Sequence, residues 1–314
     1  MELRSAFTHK KVQMRRLHLL LQGTAVFLSI LVVAAFASGQ GADDEVRVDS
    51  SIVLLNAAIK NAEGRHVSGL KKDQFKVFED GIEQGIEYFS AEETPFAAAI
   101  LLDTSGSMEQ RVSMARAAAV RFLDGLRADD AAAVYRFDSK IELVQPYSNN
   151  RDLAERAFDL KAAGMTRMND AIFEAAVDLS KRPEKRRAII VLSDGQDTMS
   201  GRTMEKVLKA AMSADIVVYT IDMSPVGDTK RSQNQGALKN LAEKSGGTFV
   251  STPGGAAMRE AFEKIVEELG VQYTIGYSPA NSKKDGKWRA IELLVSRPNL
   301  FIRTRKGYTA EKAN

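Results

Sequence analysis

The feature that most restricts the fold is a series of short, largely apolar runs, each ending on a small polar or acidic residue. Ala97–Leu102 stops at Asp103, Ala131–Phe137 at Asp138, Ala188–Leu192 at Ser193-Asp194, and Ile216–Ile221 at Asp222. Runs this short and apolar, of which Ala97–Leu102 is continuous, suit strands buried on both faces. Between and around them lie stretches of helical character: Met108–Leu126, Arg151–Leu160, Asp170–Ser180, Met204–Ala214, Gly236–Lys244 and Met258–Leu269. Shorter strands are expected at Ile141–Val144, as an edge, and at Thr248–Val250. Strands alternating with helices in this way predict a doubly wound α/β domain whose mostly parallel sheet is covered on both faces.

The flanks have a different rhythm. Before Pro95, Ile52, Leu54 and Ile59 precede a turn at Asn61-Ala62-Glu63-Gly64, and Phe75, Val77 and Phe78 lead into Asp80-Gly81, a two-residue hairpin signal followed by Ile82, Ile86 and Phe89. After Gly270, strand character returns at Gln272–Tyr277, Trp288–Val295 and Leu300–Thr304, with a polar loop over Asn281–Lys287. Either flank is marginal as an independent sheet. They are therefore expected to pair as one smaller all-β module, with the α/β domain inserted between its halves. The resulting division is a leader over 1–39, an N-terminal β segment over 45–95, the α/β domain over 96–269 and a C-terminal β segment over 270–310.

No charged residue occurs from Leu19 to Gly41, and Arg4, Lys10, Lys11, Arg15 and Arg16 precede that run. Basic segment, apolar stretch and Ala35-Phe36-Ala37 together fit an export signal cleaved behind Ala37. An uncleaved inner-membrane anchor with its basic end in the cytoplasm is the alternative. Both place the body of the chain outside the cytoplasm: periplasmic, extracellular or anchored facing outward. The 314 residues include 44 Lys plus Arg and 41 Asp plus Glu; removing those five cations and Glu2 leaves 39 against 40. A body with that balance lacks the basic footprint that nucleic-acid binding needs. The absence of cysteine excludes a disulfide framework and a lipoprotein anchor.

Open α/β sheets bind ligands beyond the carboxyl ends of their strands. Three segments stand there: Asp103-Thr104-Ser105-Gly106-Ser107, Gly164-Met165-Thr166 before the helix at Asp170, and Ser193-Asp194-Gly195. They offer two carboxylates and five hydroxyls, among them those of Ser105, Ser107 and Thr166. Oxygen donors select a hard cation, and so few carboxylates suit Mg²⁺ or Mn²⁺ better than a Ca²⁺ cage. Asp103, Ser105 and Ser107 alternate, so one loop can aim all three at a point, and Gly106 and Gly195 are expected to permit the tight backbone this requires.

In these residues, over about Ala97–Leu269, the chain resembles the von Willebrand factor type A family. The metal-ion-dependent adhesion site of that family pairs Asp-x-Ser-x-Ser with a separate Thr and a separate Asp-Gly, and Asp103, Ser105, Ser107, Thr166 and Asp194 match it. The resemblance implies that Ser105, Ser107 and Thr166 touch the metal and that one or both aspartates act through water. It also implies that the remaining metal position takes an Asp or Glu carboxylate from a protein partner, as in adhesion or scaffold modules. Phe75–Gly81 and Tyr273–Pro279 look like the exported acidobacterial-type subgroup of the family.

Singly, each site residue has a plainer reading. Ser105, Ser107 or Asp170 could cap a helix, and Asp194-Gly195 could be a turn. Agreement of three loops at three expected strand ends favours the joint site. Arg167 and Asp197 read as solvated charges, Asp138 and Asp222 lack a hydroxyl cluster, and Trp288, Tyr273 and Tyr277 fit strand packing. An enzyme is the reading from another class, as a metal-assisted hydrolase or a phosphatase of the haloacid dehalogenase type using Asp103. That type needs a second acid two residues on, where Ser105 stands, and His66 is the only histidine after the leader. No Gly-x-Gly-x-x-Gly follows a strand to support a dinucleotide binder.

Overall fold

The computed structural model describes residues 52–91, 94–151, 163–224, 231–251 and 256–312. The leader and the helix expected at Arg151–Leu160 fall outside these residues, except for Arg151 itself.

A six-stranded sheet forms the α/β part. Its strands are β5 (Phe96–Asp103), β6 (Ala131–Phe137), β7 (Ile141–Ser148), β8 (Arg186–Ser193), β9 (Ile216–Asp222) and β10 (Phe249–Ser251). They stand in the order β10-β9-β8-β5-β6-β7, parallel throughout except for β7, which pairs with β6 in the antiparallel sense. Every residue of β5 is buried. Its alternate side chains enter two cores. Phe96, Ala98, Ile100 and Leu102 face helices α1 (Val112–Asp124) and α5 (Ala256–Gly270). Ala97, Ala99 and Leu101 face α2 (Met168–Ser180), α3 (Met204–Ser213) and α4 (Arg231–Ser245). This is the doubly wound, mostly parallel sheet expected from the continuous apolar runs.

From β5 the chain moves outward to β6 and β7, then returns to the other side of β5 as β8. The strand order reverses there, so the ends of β5 and β8 flank the crevice where such sheets hold ligands.

Two four-stranded antiparallel sheets make up the all-β part. One has the order β13-β1-β11-β4 and the other β14-β12-β2-β3, where β1 is Val53–Lys60, β2 Phe75–Glu79, β3 Ile82–Gln84, β4 Ile86–Ser90, β11 Tyr273–Tyr277, β12 Trp288–Val295, β13 Phe301–Arg303 and β14 Gly307–Thr309. Each sheet combines strands from both flanks: β1 and β4 pair with β11 in one, and β2 pairs with β12 in the other. Leu55, Ile59, Phe75, Val77, Tyr273, Ile275, Tyr277, Ile291 and Leu293 share the core between the sheets. The smaller all-β module expected from the two flanks is therefore present.

Several local expectations change. The segment after Asp80-Gly81 is two strands broken at Gly85: β3 completes the hairpin with β2, whereas β4 crosses to the other sheet. Asp80 and Gly81 both have positive φ, 49° and 82°, as a tight hairpin turn demands. Helix α1 starts only at Val112, because Gly106–Met108 forms a 3₁₀ turn. The edge strand β7 runs on through Pro146 to Ser148, which an edge tolerates because no outer neighbour needs the missing N–H. Trp288 stands in a strand as expected, 46% exposed, with its ring against Gly307 of β14.

Buried polar contacts join the two parts. Arg186, at the start of β8, is fully buried and donates to the carbonyls of Leu269, Gly270 and Gln272 and to Thr274 Oγ1. Thr274 in turn donates to Asn56 Oδ1 at 3.0 Å. Glu268, near the end of α5, accepts from Tyr219 at 2.6 Å and pairs with Lys60 and Arg303. Arg186→Met would leave several buried carbonyls without a donor. Urea denaturation should show a loss of roughly 2–4 kcal/mol, against less than about 0.5 kcal/mol for the exposed control Arg65→Met.

Candidate metal centre

The ends of β5 and β8 bring Asp103 and Asp194 together. Both carboxylates are buried, and Asp103 is fully inaccessible. Asp103 Oδ1 accepts from the Ser105 amide at 2.9 Å, and Oδ2 accepts from the Ser193 hydroxyl at 2.6 Å. Ser193 Oγ also accepts from the Gly195 amide at 3.0 Å, so one serine links the two strand-end loops. Burial pushes the Asp103 carboxyl up to about 6 despite its hydrogen bonds from Ser105 and Ser193, and the nearby Asp194 charge pushes the same way.

Ser105 is buried and Ser107 exposed, yet their hydroxyl oxygens lie 3.2 Å apart. Thr166, also buried, stands on a loop sewn to both neighbours. On the β5 side, Gly106 N donates to Gly164 O at 3.2 Å and Ala163 N to Thr104 O at 2.9 Å. On the β8 side, Thr198 N and Met199 N donate to Thr166 O at 3.1 and 3.0 Å, and Thr166 N donates to Thr198 Oγ1 at 3.0 Å. The five candidate residues thus stand on three loops that hold one another by backbone hydrogen bonds.

Glycine is needed at two places. Gly164 has φ of 78°, and a Cβ there would meet Ser139 Oγ at 2.5 Å; Gly195 has φ of 80°, and its Cβ would meet the Asn234 carbonyl oxygen at 2.7 Å. Gly106, expected to share this role, has room: a Cβ would lie 3.6 Å from Gly164 O, an ordinary contact.

Among the described residues no group of three or more His, Cys, Asp or Glu is placed to hold a metal. A cation here would depend on hydroxyls as well as the two carboxylates. The donor set suits a small hard dication. Asp194 Oδ1 accepts from the Gln196 amide at 3.0 Å, but Oδ2 is buried with no hydrogen-bond partner. An unsatisfied buried carboxylate oxygen is costly, and a cation or its bound water offsets that cost. The residues present therefore fit Mg²⁺ or Mn²⁺.

Asp170 has a role its sequence position did not reveal. Its buried carboxylate accepts from Arg167 at 2.7 Å, from Arg202 at 3.0 Å and from the amides of Gly201 and Arg202. It ties the start of α2 to the loop between β8 and α3. Asp197 accepts from the amides of Asn169 and Ser200, Asp138 from Lys140 N and Thr104 Oγ1, and Asp222 from Ser224 N and Gln235. These aspartates are loop braces, and Arg167 is half of an ion pair.

The α/β part has the von Willebrand factor type A fold, and residues 98–196 match the family model of the von Willebrand factor type A domain. A curated relative, the uncharacterized protein sll0103 of Synechocystis, is 27% identical over 180 residues, which cover 54% of this chain and 42% of that protein. The matched stretch thus spans less than half of that relative. Among solved structures, BatB of Bacteroides thetaiotaomicron aligns over 56% of this chain and 98% of its own at 20% identity and a TM-score of 0.47. A von Willebrand factor type A protein of Catenulispora acidiphila aligns over 85% of this chain and 76% of its own at 14% identity and a TM-score of 0.46.

Burial alone would raise the Asp170 carboxyl, but the Gly201 amide and the Arg167 and Arg202 guanidiniums outweigh it and hold it below the ordinary 3.8. A depressed carboxyl contributes stability that is complete above its unfolded value and disappears as pH falls through the folded one. Asp170→Asn should therefore cost about 2–3 kcal/mol at pH 7, and the deficit should shrink below pH 3.8. Urea denaturation at pH 7 and pH 3 measures it; an equal deficit at both would show that the carboxylate charge is not what braces the loop.

Proposed function

We propose that the chain is an exported binding module that uses one Mg²⁺ or Mn²⁺ ion to engage a protein partner through an Asp or Glu carboxylate. A von Willebrand factor type A domain is typically a protein-interaction module. The observation that carries the metal reading is the unpartnered, buried Asp194 Oδ2 beside a second buried carboxylate and three hydroxyl-bearing residues on mutually bonded loops.

In this reading Ser105, Ser107 and Thr166 supply neutral oxygen donors, and Asp103 and Asp194 supply charge, one or both through water. A bound dication provides a position that favours an anionic oxygen. Ser193 fixes the Asp103 carboxylate, and the Gln196 amide fixes Asp194. Over 103–107, 138–140, 164–170 and 194–202 there are five aspartates against Lys140, Arg167 and Arg202. That face is net negative without an ion and neutral with a dication, so an acidic partner is repelled until the ion is present.

The leader over 1–39 supports export, and the motifs at Phe75–Gly81 and Tyr273–Pro279 support the exported acidobacterial-type subgroup. We retain the domain division at 45–95, 96–269 and 270–310. A hydrolase gains no support from the surroundings of Asp103, whose carboxylate oxygens are engaged by the Ser105 amide and the Ser193 hydroxyl, with no base among these partners.

Titration calorimetry with Mg²⁺ and Mn²⁺ should give one site. Asp194→Ala and Thr166→Ala should each weaken it about tenfold or more with the urea midpoint retained. A wild-type protein that binds neither ion contradicts the proposal.

A further inference from the structure

The metal reading leaves open what kind of carboxylate-bearing partner the face selects. Nine large apolar side chains are conspicuously exposed among the described residues, and Met165 and Met199, at 50% and 49%, are the two on the strand-end loops of the candidate site. One directly precedes Thr166 in sequence; the other donates its amide to the Thr166 carbonyl at 3.0 Å. Their backbones are fixed, since Met165 N also donates to Ser139 Oγ at 3.0 Å. Both exposed side chains are thus displayed from positions whose backbone is held, next to Thr166.

Methionine in such a place suits docking. Its unbranched thioether reshapes around an incoming apolar group, and covering it removes apolar surface from water. The polar part of the same rim is cationic in its freest groups. Arg167 and Arg202 keep 35% and 44% of their side chains exposed while Asp170 anchors them, and Arg202 also lies over the Phe173 ring at 4.2 Å. A face combining an ion, two arginines and two methionines complements a segment that is acidic and apolar at adjoining positions.

We infer that the partner presents its metal-binding Asp or Glu next to a large apolar side chain, which seats on Met165 and Met199. This rests on the metal reading above. The apolar contact supplies affinity that a carboxylate alone lacks, and it makes the site selective among acidic segments.

The test uses the full chain labelled with ¹³C at the methionine methyls, in Mg²⁺, with three synthetic hexapeptides: one with Glu beside Leu, one with Glu beside Ser, and one with Gln beside Leu. Single Met165→Leu and Met199→Leu variants assign the two resonances. The Glu–Leu peptide should shift both methyls saturably and bind about tenfold more tightly than the Glu–Ser peptide, as burial of one leucine side chain implies. A Met165→Ser, Met199→Ser double variant should keep its Mg²⁺ titration and bind both Glu peptides equally. If wild type binds the two Glu peptides equally, each needing Mg²⁺, the inference is overturned and the metal reading stands. If the Gln–Leu peptide binds as well as the Glu–Leu peptide, or chelator changes nothing, the metal reading itself fails. No binding by any peptide at millimolar concentration overturns the inference.

Discussion

Everything at the candidate site depends on holding a carboxylate in a place where water cannot reach it. Asp103 ends a strand that is buried along its whole length, and its charged form is disfavoured there. Hydrogen bonds from Ser105 and from the Ser193 hydroxyl oppose that cost only in part. Asp194, one strand over, adds a second buried carboxylate with an oxygen left unpaired. The sheet topology forces this juxtaposition, because β5 and β8 are neighbours at the point where strand order reverses. A cation is the economical answer to two carboxylates so placed.

The site is held from the opposite end of the domain as well. Arg186 at the start of β8 and Glu268 at the end of α5 bind groups in the antiparallel sheets, so the central strands and the last helix are anchored to strands from both flanks. Buried charges of this kind stabilise only while every partner is present. The sandwich thereby restrains the strand that leads into Asp194 and the helix packed beside β5.

Much of this fold could be read from the chain, because continuous apolar runs report strands buried on both faces and alternation reports the sandwich. Four of the five candidate ligand residues were legible for a related reason: Asp103, Ser105, Ser107 and Asp194 follow directly where two of those runs stop, whereas Thr166 stands before the helix that holds Asp170. Less visible were residues whose roles need partners distant in sequence. Ser193 read only as the first residue of the loop after its strand, yet its hydroxyl bridges Asp103 and Gly195. Asp170 looked like a helix cap, but its carboxylate gathers groups as far away as Gly201 and Arg202. Nothing marks Arg186 as buried in a Lys-Arg-Arg stretch, since its acceptors come from residues 269 to 274. The switch from β3 to β4 was missed because a single glycine carries the chain from one sheet to the other, and β14 because Gly307–Thr309 is too short to show alternation.

The central claim is that the hydroxyls and carboxylates at the ends of β5 and β8 converge on one hard cation. Crystals grown in Mn²⁺ and measured at the manganese absorption edge test it most directly. The account predicts a single anomalous peak within coordination distance of Ser105 Oγ, Ser107 Oγ and Thr166 Oγ1, with Asp194 Oδ2 bound to the ion or to its water. A peak confined to another part of the surface, or none at saturating Mn²⁺, would contradict it.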